Sequence, residues 1–194
     1  MYAYLKGKFT VKNPAQVYVD VNGVGYEVNI SLNTFSHIQQ LDEGQLFIHL
    51  QVKEDSHTLY GFFDKAEKDI FISLIGVSGI GASTARMVLS SLKPDELTKA
   101  IAQGNVKLLE SIKGIGRKSA ERLIVELRDK LGKQVAEGSF AEVMGNNIEN
   151  DAVIALVSLG IARNVAELAV KKSIKLTPEN NNLEDLIKNA LKNL

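Results

Sequence analysis

The chain has no cysteine and no tryptophan among its 194 residues, only 3 prolines, and no surplus charge, since 23 lysines and arginines balance 23 aspartates and glutamates. Each shortage excludes something. Without cysteine there can be no disulfide, no thiol nucleophile and no thiolate-bound zinc. The histidines, His37, His49 and His57, fit no metal-ligand spacing and read as strand or surface residues. No apolar run is long enough to cross a bilayer. The start Met-Tyr-Ala-Tyr-Leu-Lys-Gly-Lys-Phe lacks the charged, apolar, small-residue order of a secretory leader, so the expected location is the cytoplasm. What is present, 45% apolar and 24% charged residues, describes a globular chain with room for one to three small domains.

Overall neutrality argues against a uniformly basic nucleic-acid binder, but the charge is unevenly spread. Residues 1–63 carry 4 basic and 6 acidic groups, residues 64–130 carry 12 and 9, and residues 131–194 carry 7 and 8. The basic excess narrows to Lys113, Arg117, Lys118, Arg122, Arg128 and Lys130, interleaved with Glu121, Glu126 and Asp129. Taken alone, that mixture also describes a solvated helix face.

Hydrophobic periodicity divides the chain. In residues 1–63, Val17, Val19 and Val21 alternate, and Tyr26, Val28 and Ile30 repeat the period after Asn22-Gly23, a strong two-residue hairpin signal. Further strands are expected at Ala3–Thr10, Leu46–Val52 and Leu59–Phe63, and about five short strands suit a small closed barrel of the OB type. From Asp64 the period becomes helical: Asp64 and Glu67 have capping-box spacing, and Ile70, Phe71, Leu74 and Ile75 share one face. Residues 64–131 form a helical domain with helices of roughly eight to fifteen residues, broken at Gly76, Gly79-Ile80-Gly81, Gly104 and Gly114-Ile115-Gly116, with Pro94 in a first turn. Residues 132–149 lose periodicity and gain Gly, Asn and Glu, as a flexible linker does. Residues 150–194 return to three short amphipathic helices, with Val153, Leu156, Val157 and Leu159, then Val165, Leu168, Ala169 and Lys172, then Leu183, Leu186, Ile187, Ala190, Leu191 and Leu194. A core that small leaves apolar side chains for a partner.

The chemistry lies in an internal repeat. Ile75 to Ala85 aligns with Glu110 to Ala120 at an offset of 35, and both glycine pairs superpose. Each copy reads as a helix–hairpin–helix, in which glycine allows positive φ and close approach of a foreign backbone while the central isoleucine packs between the helices. The loop presents main-chain N–H groups at a helix N-terminus, a site for anions such as DNA phosphate. The candidate phosphate-binding residues are Gly79, Gly81 and Ser83 in the first copy and Gly114, Gly116, Arg117, Lys118 and Ser119 in the second. Amide donors relax the need for lysine, although salt-dependent affinity must still come from basic groups. A plain interhelical turn is the bland alternative, and repetition in register favours DNA over it.

Glycine-rich turns also hold nucleotides, but the motifs differ. Gly76 to Gly81 has P-loop spacing and continues Ala82-Ser83 where lysine is required, and Gly116 is followed by Arg117-Lys118, with Ser111 where the first glycine belongs. Thr84 and Ser119 stand where a dinucleotide fingerprint needs its third glycine. No placed carboxylate or metal cluster follows either hairpin, so no catalytic residue, metal or cofactor is assigned. Two other classes stay open: a tandem-hairpin DNA-repair enzyme of nuclease or glycosylase type, and a barrel-based interaction protein whose helices serve assembly.

The whole chain resembles the RuvA family, the Holliday-junction-binding subunits that work with a RuvB motor. The resemblance rests on Asn22-Gly23-Val24-Gly25-Tyr26-Glu27-Val28, on Lys53-Glu54-Asp55 followed by Leu59-Tyr60-Gly61-Phe62, and on both hairpins. The closest stretch is Lys113 to Leu127, and Asp151-Ala152-Val153 with Ala155 to Gly160 agrees at the far end. The resemblance implies a multidomain α+β protein: an N-terminal OB-type barrel, a central all-α domain with two helix–hairpin–helix motifs, and a C-terminal UBA-like three-helix bundle. It implies a homotetramer or octamer that binds four-way junction DNA, holds it open and recruits a hexameric ATPase, with a junction resolvase as a further partner and a bacterial, nucleoid-associated location. It makes Glu54 and Asp55 an acidic pin at the junction centre and Leu156, Leu159 and Ile161 motor-binding candidates. This chain departs from the family at Ser83, where a lysine is frequent, and at Ile161, where an aromatic commonly stands.

Overall fold

A computed structural model of the protein describes residues 1–128, 148–176 and 182–194, and the chain divides into two compact units, Met1–Gln134 and Val135–Leu194. In the first unit five strands, β1 (Tyr4–Asn13), β2 (Gln16–Val21), β3 (Val24–Ile30), β4 (Glu43–Val52) and β5 (His57–Phe62), close into a barrel in the order β1-β2-β3-β5-β4. All neighbours are antiparallel except β3 and β5, which run parallel. The β2–β3 turn is the expected two-residue hairpin. Val21 pairs with Val24, Asn22 and Gly23 both have positive φ (53° and 89°), and the Asp20 carboxylate accepts from the Gly23 N–H at 2.8 Å. Alternation then points Val17, Val19, Val28 and Ile30 into the barrel with Leu5, Phe9, Leu46 and Ile48.

A short helix, α1 (Leu32–Ile38), lies between β3 and β4 and was not expected from periodicity. Its signal is local: Ser31 caps it by accepting from the Thr34 N–H at 2.9 Å. Thr34 and Ile38 are its buried residues.

The helical part of this unit comprises α2 (Lys65–Ile75), α3 (Ala82–Ser91), α4 (Pro94–Ala102), α5 (Val106–Glu110) and α6, helical over the described residues 117–128. Pro94 opens α4 as expected, while α5 has 5 residues and is shorter than the periodicity suggested. Phe71 of α2 is fully buried against Tyr60 and Phe62 of β5, with ring centroids 5.0 and 4.9 Å away. Barrel and helices therefore share packing, and truncating Phe71 to alanine would cost about 3–5 kcal/mol.

Asp64 caps α2, accepting from the Glu67 N–H at 2.7 Å. The expected reciprocal half of a capping box is absent. The Glu67 side chain turns instead into the seam between α2 and α1, where it is fully buried and accepts from the Ser31 hydroxyl and, at 2.7 Å, from the Thr34 hydroxyl. Thr34 in turn accepts from the Phe63 N–H at 3.0 Å. Tertiary partners outcompete the local one because a buried carboxyl must be hydrogen-bonded on both oxygens. Burial pushes this carboxyl up; hydrogen bonds from Ser31, Thr34 and Asn33 oppose that, and the Asp64 charge adds to it.

The second unit holds α7 (Ile148–Ser158), α8 (Arg163–Leu176) and α9 (Leu183–Lys192) around Ala152, Val153, Leu156, Ala166, Ala169, Val170, Leu186 and Ala190. Helix α7 is already formed at Ile148, the first described residue after 128, so the boundary expected at 149/150 falls inside a helix; residues 132–147 of the expected linker, with Lys130, lie outside the described residues. The buried stripe also differs from expectation. Ala166, Ala169 and Val170 face the core, whereas Val165 and Leu168 are exposed. On α8 the small Ala166 and Ala169 let the neighbouring helices pack closely, while Val165 and Leu168 remain on the surface.

Candidate nucleic-acid interface

The 35-residue repeat is a repeat of geometry. In the first copy the Val77 N–H donates to Leu74 O, Ile80 N–H to Val77 O and Ala85 N–H to Gly81 O, at 3.0, 3.0 and 2.9 Å. In the second, Ile112 N–H donates to Leu109 O, Ile115 N–H to Ile112 O and Ala120 N–H to Gly116 O, at 3.2, 3.0 and 2.9 Å. Every bond recurs at the same offset. The core positions correspond too, since Leu74, Val77, Ile80 and Ala85 are buried and so are Leu109, Ile112, Ile115 and Ala120. The isoleucine between each glycine pair packs inward, which drives the flanking glycines outward.

The two glycines of each pair have different reasons to be glycine. Gly79 and Gly114 lie at φ +88° and +93°, a conformation that L side chains rarely adopt. Gly81 and Gly116 lie outside that region, and a Cβ built on either meets nothing within 4 Å. Nothing within the unit demands their lack of a side chain. They are exposed, and Gly81 caps α3 without a side-chain hydrogen bond to the helix. The first intrahelical bond comes from Ala85, so the N–H groups of the opening turn of α3 face outward with the positive end of the helix dipole. Helix α6 opens in the same way behind Gly116.

Ser83 is exposed at the start of α3, and Arg117 and Lys118 are exposed at the start of α6, where Ser119 is half-buried. Arg117 is held by Glu121 one turn on, Nε to Oε1 at 3.0 Å, and this bond pushes its guanidinium further up. On an exposed surface such a pair is weak and easily exchanged for a phosphate. Arg122, counted in the basic cluster from sequence, has a different partner: its Nη1 donates to the Ser78 carbonyl of the first hairpin at 3.0 Å. Thr84 of α3 is likewise the nearest neighbour of a Cβ built on Gly114, at 3.8 Å. The two hairpins therefore stand side by side, tied through Arg122. Spacing alone could not reveal this, because the equivalent of Arg122 in the first copy is Met87.

The remaining sequence-predicted residues lie elsewhere. Glu54 and Asp55 are exposed at the tip of the β4–β5 hairpin, closed by Lys53 N–H donating to Ser56 O at 2.8 Å. Both carboxylates thus project from the barrel. Of the motor-binding candidates, Leu156 is fully buried in the core of the second unit and offers no surface to a partner. Leu159 is 65% exposed, and Ile161 packs partly against that core. Val157, Val165 and Leu168, which periodicity placed on the apolar stripes, are exposed in the same unit, as is Ile154, which lies off those stripes.

Among the described residues no group of three or more His, Cys, Asp or Glu is placed to hold a metal, and no helix is long and apolar enough to cross a membrane.

Comparison with known proteins adds independent findings. Residues 1–61 match the model of the RuvA N-terminal domain, residues 71–129 the SAM-like helix-hairpin-helix tandem, and residues 147–194 the RuvA C-terminal domain. A Christiangramia forsetii protein is 48% identical over 194 residues, covering 100% of both chains. Relatives from Cytophaga hutchinsonii (45% identical, 99% of each chain) and Neisseria meningitidis serogroup B (43% identical, 100% of this chain and 99% of the relative) match equally fully. Each of the three is a Holliday junction branch migration complex subunit RuvA.

Proposed function

This chain belongs to the RuvA family, and from that premise we propose that it is the junction-binding subunit of a branch-migration complex acting in recombination and DNA repair. The observation that carries the reading is the pair of superposable hairpins, each opening a helix toward solvent behind a glycine that the fold itself does not require. Two phosphate sites fixed side by side grip successive backbone positions of one duplex arm through amides, with Arg117 and Lys118 adding the salt-dependent part. Phosphate contacts read no bases, so binding is independent of sequence.

Selectivity for a junction comes from assembly. Four copies of the chain in a homotetramer multiply individually weak grips, and only a four-armed ligand engages all of them at once. Glu54 and Asp55 at the barrel tip act as the acidic pin: gathered at the centre, they repel phosphates and direct strands into the arms, which weakens binding to ordinary duplex. The residues divide by role into the barrel at 1–63, the gripping region at 64–131, a linker and a motor-recruiting bundle beginning at Ile148. In that bundle Leu159 and Ile161 contact a RuvB-type hexameric ATPase. Hydrolysis belongs to that partner, and this chain positions DNA without cofactor or catalysis, in the bacterial cytoplasm at the nucleoid. A junction resolvase would use the same opened junction.

The test is a competition gel shift of an immobile four-way junction against linear duplex of the same sequence at fixed, near-physiological salt. Strong preference for the junction is expected. Equal affinity would reduce the hairpins to general duplex grips, and cleavage of either DNA without ATP would favour the repair-enzyme reading.

A further inference from the structure

Helix α3 carries the first phosphate site at its N-terminus, and one turn further along its Arg86 side chain leaves that face altogether. Its Nη1 donates to the Ala15 carbonyl in the β1–β2 turn at 2.9 Å and to the Asn29 carboxamide oxygen on β3 at 2.8 Å. A turn beyond, the Ser90 hydroxyl accepts from the Leu32 N–H at 3.1 Å, at the start of α1. Residues 86 and 90 lie on one face of α3, so the helix is held at two points along its length, to the barrel through Arg86 and to the start of α1 through Ser90, which fixes its tilt as well as its position. The same barrel carries Glu54 and Asp55.

We propose that Arg86 is a positioning residue for junction selectivity: it fixes the first hairpin's helix against the barrel, and with it the direction in which that phosphate site faces relative to the acidic tip. This inference rests on the junction-binding reading above. Arginine suits the task because its planar guanidinium meets two acceptors in one fixed orientation, which a point-charge ammonium does not. Arg86 is half-buried, and its neighbours along α3, Ala85, Val88 and Leu89, are all buried, so an aliphatic side chain at this position would suit the contact without desolvating a charge. Orientation is what a charged tie adds. A linear duplex can settle on one hairpin pair whatever its angle, whereas four arms at set directions need every grip aligned at once.

The test uses the full chain with Arg86→Met, which keeps the stem and loses both bonds, and Asn29→Ala, which removes one acceptor from the barrel side without altering α3. Equilibrium affinities for the four-way junction and for duplex are measured in one buffer, well below the unfolding temperature. Arg86→Met should lower the junction-to-duplex ratio by roughly tenfold or more, since tenfold is the scale of just one of the two charge-assisted bonds it loses, with duplex affinity almost unmoved. Asn29→Ala should shift the ratio in the same direction, and the double variant should fall short of the product of the two effects. Equal loss of junction and duplex affinity in Arg86→Met, with Asn29→Ala silent, would make Arg86 a phosphate contact and overturn the proposal.

A second readout does not depend on DNA. The chain has no cysteine, so His57→Cys and Ser91→Cys take spin labels cleanly, one beside the acidic tip and one at the end of α3. The label-to-label distance distribution should be narrow in the parent and broad after Arg86→Met. An unchanged narrow distribution overturns the positioning role. A parent protein without junction preference sinks the functional reading instead, while the distance measurement still judges the tie.

Discussion

Replacing Gly116 and Gly114 by alanine, one at a time, separates what the hairpin needs in order to fold from what it needs in order to bind. At Gly116 the added methyl group meets nothing within 4 Å and the backbone lies outside the left-handed region. Reduced freedom of the unfolded chain favours alanine by about 0.4–1 kcal/mol. Alanine is the poorer helix cap, by roughly 0.5–1 kcal/mol, so the two effects nearly cancel. At Gly114 there is room for the methyl group, but φ is +93° and the strain is of order 1–3 kcal/mol. With roughly 4 °C per kcal/mol for a unit of this size, Gly116→Ala should melt within about 4 °C of the parent and Gly114→Ala about 4–12 °C lower. Binding should show the opposite order. A methyl group on Gly116 stands where a phosphate oxygen must approach the amides of α6, and losing one charge-assisted hydrogen bond, about 1.5–3 kcal/mol, weakens duplex binding at least tenfold. Thermal melts followed by fluorescence anisotropy on labelled duplex at one salt concentration read both quantities. A Gly116→Ala protein that melts like the parent and also binds within twofold of it would refute the phosphate site outright.

The other predictions concern separate parts of the molecule. Burial raises the Glu67 carboxyl above its unfolded value, so the stability it contributes is present below the unfolded pKa and is lost as pH rises through the folded one. Glu67→Gln should remove that slope from denaturation curves recorded across acidic to neutral pH, and an identical slope in the variant would contradict the assignment. Ser83→Lys places a cation beside the first hairpin and should steepen the dependence of log K on log salt by about 0.9 for each phosphate newly neutralised, measured by salt titration. Glu54→Gln with Asp55→Asn should tighten binding to linear duplex, and unchanged duplex affinity would remove the support for the pin. In the second unit Leu159→Asp should leave the helical circular dichroism intact while abolishing capture of the hexameric ATPase, whereas Leu156→Asp, buried and unpaired, should unfold that unit.

The sequence by itself determined the features that depend on neighbouring residues. Asn22-Gly23 makes its turn because both positions take positive φ, Pro94 opens a helix, and the glycine pairs 35 residues apart repeat the same hydrogen bonds because Gly-Ile-Gly and the apolar positions around it recur. Backbone preference and hydrophobic period are local properties, so they are legible without a fold. Only the tertiary structure decided where the longer-range partners lie. Glu67 has the spacing of a capping residue, yet its carboxyl is buried against Ser31 and Thr34; Arg122 sits in a run of cations, yet ties one hairpin to the other; Arg86 belongs to no motif, yet reaches from α3 to Ala15 and Asn29 of the barrel. The burial of Leu156 and the exposure of Leu168 were settled the same way, since an amphipathic helix offers several apolar stripes and its neighbours select one. Each of these outcomes joins segments distant in the chain, and a charged or apolar side chain carries no local mark of the partner that the folded molecule will bring to it.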